Sequence, residues 1–565
     1  MGVQSFRSIS CLARKLTFAL VAMLLFSCSG DGERPPGGQG SASPSFSSGQ
    51  VSPKQTQPIS VYAANRFAEQ ATFGPNGALV AELRQLGFSR WIDQQLQLKA
   101  TPVDLSPFIG FPDPEPPTVG MARMLLMPEM ALASPDQLRV RVLWALSQFI
   151  VVSERGVDAY AIPFWMDLLH SHALGYYDEL LYAISLSPAM GHYLNNNQNR
   201  PKSNVCPHCA PNENFARELM QLFTLGVVKL TDGGQSVRNP DGSFAETYSQ
   251  KDVEELARVL TGWQFDNDPS SRASRNWGNW AKPMVPSTWS AERDSGQKVV
   301  LGRVFPAGQT HQKDLKDAID LLMKHSNIAP FVSTRLIQHL VKSNPSPEYV
   351  MRVATVFRDN GSGRRGDMKA VVKAILLDPE ARQGDDLSRA NRSEGKIREP
   401  FLHFMSIWRG LSCQRIPVRD NWVNLPQTQM PFNAESVFSF YAPTDRAPGS
   451  NLLAPEQRIV NTQEFKQRLN RLSDRASWSG GRLSIETLRK ANCEIDSLVQ
   501  AYAQSPAAFA MEIGERFFRG NMPYALRYDI EELIKRPQWD VRSPEQGALR
   551  MLEYALSTPY FGVSK

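Results

Sequence analysis

The stretch Pro211-Asn212-Glu213-Asn214-Phe215-Ala216-Arg217-Glu218-Leu219-Met220-Gln221-Leu222-Phe223-Thr224-Leu225-Gly226 decides how this 565-residue chain is read. It places two carboxylates, an arginine and two asparagines in the first two turns of an amphipathic helix. With Asn212 as N-cap, its side chain accepts a backbone N–H and Glu213 stands in the positive first turn. Glu213 and Arg217 then lie four apart in the favourable acid-first order, worth a few tenths of a kcal/mol on an exposed face. Asn214 and Glu218 form a second such pair on the adjoining stripe. These pairings account for the residues structurally. The functional reading is that Glu213, Glu218 and Arg217 are catalytic candidates, with Asn195, Asn197, Asn212 and Asn214 as ligand-binding candidates around them. In such a pocket a carboxylate could act as general acid or base, or hold a cation through oxygen ligands. The sequence specifies neither a cofactor nor a metal.

Outward from this helix the pattern stays helical. Ala64 to Gly74 reads as a helix stopped by glycine, and Ala78 to Gln97 as a helical pair turning at Gly87. Leu138, Val142, Ala145, Leu146 and Phe149 recur at the spacing of one buried helix face. Pro163 to His172 and Tyr176 to Leu186 continue the pattern. The polar loop Asn195-Asn196-Asn197-Gln198-Asn199-Arg200-Pro201 then leads to a cysteine pair and the central helix. A further helix begins at Tyr248 to Asp252, capped near Ser249 or Gln250, with Val253, Leu256 and Leu260 inward. Residues 264–304, rich in Trp, Asn, Ser and Pro, read as one long irregular insertion with a short strand at Val299 to Leu301. Helices are expected again at 315–325, 329–342, 346–359, 368–378, 396–411, 456–473, 507–519, 523–535 and 544–557. The expected fold class is therefore all-α: one large domain of short-looped helices over 59–565, in one or two lobes, with minimal β-structure.

The two ends of the composition agree with this. Hydrophobic residues make up 42% and charged residues 21% of the chain, as in a globular protein. Net charge is +6, but Arg7, Arg14 and Lys15 precede Cys28 without an acid and carry three of those charges. The remaining +3 is mild and scattered, which argues against nucleic acid as a partner. Arg14 and Lys15 precede an apolar run, Leu16 to Phe26, too short for a bilayer span but suited to a signal-peptide core. Leu25-Phe26-Ser27-Cys28 resembles a bacterial lipobox, with Cys28 the expected lipidation site, residues 1–27 the signal peptide and the N-terminal lipid the only membrane contact. Ser29 in place of aspartate points to the outer membrane of a Gram-negative host. Residues 28–58, rich in Gly, Ser and Pro, read as a disordered tether reaching roughly 30 Å.

Export permits disulfides. With Cys11 removed and Cys28 lipidated, Cys206, Cys209, Cys413 and Cys493 allow three pairings, of which Cys206–Cys209 with Cys413–Cys493 is favoured. Cys206-Pro207-His208-Cys209 has the letters of a thiol-oxidant motif, but it follows a polar loop and not a strand. A zinc site with His192 or His208 is the lesser alternative. Gly361-Ser362-Gly363-Arg364-Arg365-Gly366 matches a dinucleotide fingerprint yet joins two helices, so it reads as a loop. No His-Glu-x-x-His or Gly-x-Ser-x-Gly motif occurs.

Asn212 to Gly226 followed by Tyr248 to Trp263 resembles the bacterial domain-of-unknown-function 1800 family. Ala68 to Gly74, Pro188-Ala189-Met190, Gly296 to Gly302, Phe331 to Pro345 and Gln429-Met430-Pro431-Phe432 to Tyr441 carry the same likeness. Together they span roughly Ala63 to Gly562. The resemblance implies an exported, mostly helical protein, often encoded beside an exported phosphatase- or sulfatase-like protein, and implies no particular reaction. The Cys206–Cys209 insert departs from the family pattern, as does Arg293, which stands before Asp294 where relatives tend to have histidine.

Two functions follow as expectations. In the first, the chain is a lipoprotein that binds or assembles an envelope or extracellular component, either a carbohydrate or the co-encoded phosphatase-like protein. Trp277 and Trp280, with Trp289 and neighbouring amides, would offer sugar-stacking faces; the alternative is that these rings fold onto the helical body. In the second, the chain is an envelope polysaccharide hydrolase or lyase using the carboxylates of residues 212–218. The enzyme reading requires a cleft with Glu213 or Glu218 buried, without a full salt-bridge partner and with a raised pKa. The binding reading requires those groups paired internally and an exposed apolar or aromatic patch elsewhere.

Overall fold

Apolar periodicity gives the chain its helices, and turn chemistry ends them. In a computed structural model describing residues 58–108, 117–204, 206–266, 279–389, 395–416, 425–472, 484–536 and 543–564, helix makes up 54% and strand 6%. The fold class is all-α. The signal peptide, the tether and Cys28 lie outside the described residues.

The first helix, Val61–Ala71, is capped by Ser60, whose hydroxyl accepts from the Ala63 N–H. Gly77–Leu86 and Phe88–Gln97 follow as the expected pair, joined at Gly87, whose φ of +83° suits a residue without a Cβ. Gln137–Ser147 is buried along its whole length, polar residues included. It is the axle of the N-terminal half, packing on Phe88–Gln97, Pro117–Ala133, Ala161–His172 and Ile328–Leu340.

The expected helix after Tyr248 is Gln250–Val259, opened by a reciprocal capping box between Ser249 and Asp252. The described parts of residues 264–304 are better organised than a single irregular loop. Trp263–Gln264 pairs with Val285–Pro286, and Lys298–Val300 with Arg303–Phe305, each antiparallel. Sequence pattern missed these pairings because two- and three-residue strands carry too little alternation. It also missed the ribbon from Val227 to Thr247, in which Lys229, Val237 and Ala245 exchange backbone hydrogen bonds.

Ile328–Leu340, Pro347–Arg358 and Met368–Leu377 pack in succession. At the C-terminal end Asp496–Gln504, Pro506–Phe517, Tyr524–Lys535 and Pro544–Ser557 pack on one another. They join the rest through Pro400–Gly410 and a strand pair, Lys396–Ile397 with Val563–Ser564. At Gly410 a Cβ would collide with the Phe517 ring, so this glycine sets how closely the two helices approach. Residues 58–565 form one compact unit, and its described residues share one apolar core cluster.

Buried arginines knit distant segments together. Arg409 donates to the carbonyls of Gly74, Ala131 and Leu132 and to Gln137. Glu69 receives Arg398 at 3.0 Å and Arg519 at 2.7 Å. Each such group satisfies backbone or carboxylate atoms that burial would otherwise leave costly. Both expected disulfides are present, Cys206–Cys209 and Cys413–Cys493. No helix of the described residues is long and apolar enough to cross a membrane.

Candidate functional site

The central helix has two parts. Asn214–Glu218 is α-helical and Leu219–Thr224 is a π-turn, in which Leu225 N–H reaches back five residues to Met220 O at 2.7 Å. The Thr224 hydroxyl donates to the Leu219 carbonyl, and Gly226 at φ +70° ends the turn. A π-turn inserts one residue into the helical frame and rotates the side chains on either side of it, a device frequent at functional positions.

The helix begins one residue later than a cap at Asn212 would set it. Asn212 still uses its side chain locally, accepting from Asn214 N–H at 2.9 Å, while its own N–H donates to Asn199 Oδ1 at 2.7 Å. The Asn214 amide donates to Asn195 Oδ1 at 3.1 Å and so does not pair with Glu218 as the spacing predicted. Asn195 holds a positive φ of +58°, which asparagine tolerates better than most residues. Asn197 serves the scaffold: its side chain accepts from Phe265 N–H, and its N–H donates to Gly191.

The two carboxylates have opposite environments. Glu213 is partly exposed, accepts from Arg217 at 2.7 Å and from the Gln250 amide at 2.9 Å, and is spent on that local network. Glu218 is only 7% exposed, and its Oε2 is buried without a hydrogen-bond partner. Burial raises its pKa, and the charge of Arg217 only partly opposes that rise. Two tyrosines missed by sequence reasoning stand within reach of its charge, Tyr193 and Tyr248. The Tyr248 hydroxyl is itself buried and unpartnered, and desolvation pushes it up to about 12. The site thus offers a carboxyl biased toward its neutral, proton-donating form beside phenols held protonated. Its signal in the sequence was faint: Tyr248 stands just ahead of the Ser249 cap, and nothing marks Tyr193.

The remaining candidates separate from this group. Trp280 is buried, edge-on to Phe265 at 5.4 Å and His192 at 5.9 Å, so its ring is packing and not an open sugar platform. Trp289 is exposed, and Trp277 lies outside the described residues. Cys206–Cys209 closes a tight turn in which Ser203 and Cys206 exchange backbone hydrogen bonds. Arg293 donates to the carbonyls of Val259 and Thr261 and pairs with Asp314, a scaffold role. Among the described residues no three His, Cys, Asp or Glu side chains gather as a metal set.

One face of the π-turn opens elsewhere. Gln221, Leu222 and Gly226 border a cavity of about 230 Å³ that Glu218 does not line. Its opposite walls come from Phe331, Arg335 and His339 and from the segment Val437 to Thr444.

Comparison with curated proteins and with solved structures gave no match. Among protein families, one described as a protein of unknown function, DUF1800, matches residues 66–563. That span takes in the central helix, the capping-box helix, both cavity walls and the C-terminal helices, and so the chain belongs to the DUF1800 family.

Proposed function

We propose that the protein is an exported lipoprotein, anchored through Cys28, that binds an envelope or extracellular glycan against the central helix and engages it through Glu218. The observation that carries a role for Glu218 is its carboxyl, buried, with no salt-bridge partner among the described residues and raised in pKa, the environment expected of the enzymatic reading; the pairing of Glu213 with Arg217 is the one expected of the binding reading. A buried polar atom without a partner costs stability, so its retention favours a role that a ligand completes. Asn195, Asn212 and Asn214, joined to one another by hydrogen bonds at the start of the same helix, carry amides of the kind that suit sugar hydroxyls.

The same group supports the enzymatic reading, a polysaccharide hydrolase or lyase, and narrows it. Hydrolases of glycosides place two working carboxylates across the scissile bond. Glu213 is tied to Arg217 and Gln250 and does not fill the second position. A lone neutral acid fits the acid's place in an elimination, where Glu218 would protonate the leaving oxygen while solvent water takes the proton α to the uronate carboxyl, since Tyr193 and Tyr248 are held protonated. Docking of a co-encoded phosphatase-like protein is the other reading. The feature favouring it is an exposed pair of tyrosines, Tyr524 and Tyr528, their rings stacked 6.3 Å apart.

The test uses the mature chain and its Glu218→Gln and Glu218→Ala variants, with uronate-containing and neutral polysaccharides measured both for retention and for unsaturated uronate ends. Retention by wild type, kept in part by Gln and lost in Ala, supports binding through a neutral carboxyl. Unsaturated ends formed only by wild type establish the lyase. Equal behaviour of all three proteins would falsify a role for Glu218.

A further inference from the structure

We infer that the cavity between the π-turn and the Val437 to Thr444 segment is a binding site for a small organic carboxylate with an apolar body. It is independent of the Glu218 site, which does not line it.

The charged wall comes from one helix. Arg335 and His339 lie four apart on Ile328–Leu340 and both line the cavity. Arg335 donates to the side chain of Gln338 at 2.9 Å, rests its guanidinium over the Phe331 ring at 5.1 Å, and has no carboxylate partner among the described residues. A guanidinium presents five donors in a planar fork, so one neutral amide leaves most of it unused. His339 is 5% exposed with Nδ1 unpartnered, and its ring stacks near Phe149 and tilts toward Tyr441. Tyr441 is 6% exposed; its hydroxyl feels the Glu399 charge but makes no well-formed hydrogen bond. Glu399 is already occupied by Lys396 at 2.9 Å and Gln429 at 2.6 Å.

Behind this wall the field is positive. Arg141, 1% exposed, donates to the His339 carbonyl and leaves Nε and Nη1 without partners. Among the described residues, Arg141, Arg335 and Lys396 share this cluster with the carboxylates Glu399 and Glu456, and burial biases Glu456 toward its neutral form. The unused donors of Arg335 at the wall, with the cations Arg141 and Lys396 behind it, suit an anion in the cavity. Phe149, Leu222, Phe331 and Pro443 give much of the remaining lining an apolar character that fits a hydrocarbon or aromatic body, with Gln148, Gln221 and Thr444 as polar members. Val227 and Phe438 line the cavity and are about half exposed, so the space opens to solvent on their side.

The experiment titrates the soluble chain, residues 59–565, with a fluorinated benzoate followed by ¹⁹F NMR, with the matching benzamide as the uncharged control. Millimolar or tighter binding of the benzoate alone is expected. Arg335→Gln should weaken it about tenfold to hundredfold, the scale of one charge-assisted interaction. Arg335→Lys should retain part of the affinity. Phe438→Ala, at the exposed rim, should weaken benzoate binding in a protein whose far-UV dichroism and melting are unchanged, which keeps the test informative if Arg335→Gln misfolds. Equal binding of benzamide, indifference to both Arg335→Gln and Phe438→Ala, or no benzoate binding at all overturns the proposal.

Discussion

Asp314 and Glu218 are both buried carboxyl groups, and their surroundings could hardly differ more. Asp314 is fully buried and accepts from Arg293, from Lys298 at 3.0 Å and from Gln309 at 2.5 Å. Its negative charge is matched, and the knot it forms ties the Lys298–Phe305 hairpin to His311–Lys324. Glu218 has comparable burial and no such partner. Burial alone therefore does not single out a candidate acid; burial without compensation is what sets Glu218 apart from Asp314.

The largest effect should come from breaking the matched site. Asp314→Ala leaves Arg293 and Lys298 buried without their anion and should cost about 3–5 kcal/mol in denaturant unfolding. A loss below about 1 kcal/mol would show that the knot is not compensating charge as described.

Acid should expose the next difference. His339 and His311 are held neutral by burial, their pKa values lowered to about 3 and about 4. Because the folded values lie below the ordinary 6.5, the stability they confer is complete above that pH and is lost as pH falls toward 3 and 4. Each histidine contributes a slope of at most about 1.4 kcal/mol per pH unit, read from unfolding at stepped pH. Neutral variants such as His339→Gln should flatten the curve in that window.

Glu218 runs the opposite way. Its folded pKa is raised, so its stabilising contribution is complete below the unfolded value of 4.5 and disappears as pH rises through the folded one. Glu218→Gln keeps the shape and cannot ionise. It should therefore gain on wild type with rising pH, by ~1–3 kcal/mol once the buried carboxylate is charged. Identical pH curves would place Glu218 among compensated groups.

The smallest effect belongs to the surface partner. Glu213→Gln breaks a partly exposed ion pair and should shift stability by only about 0.3–0.5 kcal/mol.

The contrast also explains what was legible in the sequence. The Gly87 turn, the Ser249 cap, the Glu213–Arg217 pair and most helix positions rest on residues within four places of one another, and local chemistry fixes them. Periodicity cannot announce a π-turn, and Glu213 and Glu218, both ahead of Leu219–Thr224, looked equivalent because the packing that buries only Glu218 comes from distant segments. The Asn214 amide went to Asn195, nineteen residues away, and not to its helical neighbour. The cavity wall depends on still longer links, such as Arg141 to His339 across 198 residues. Its one local sign was two arginines, Arg139 and Arg141, inside an apolar helix. An arginine in such a place must find acceptors somewhere in the fold, and the sequence does not say where.

The central claim is that Glu218 carries a proton where an ordinary glutamate does not. The most direct measurement is the infrared carboxyl band of the soluble chain, followed in a pH titration and subtracted from that of Glu218→Gln. A protonated-carboxyl band that persists above pH 4.5 in wild type and is missing from the variant is the predicted result. A difference spectrum showing Glu218 ionised at or below that pH would contradict the account.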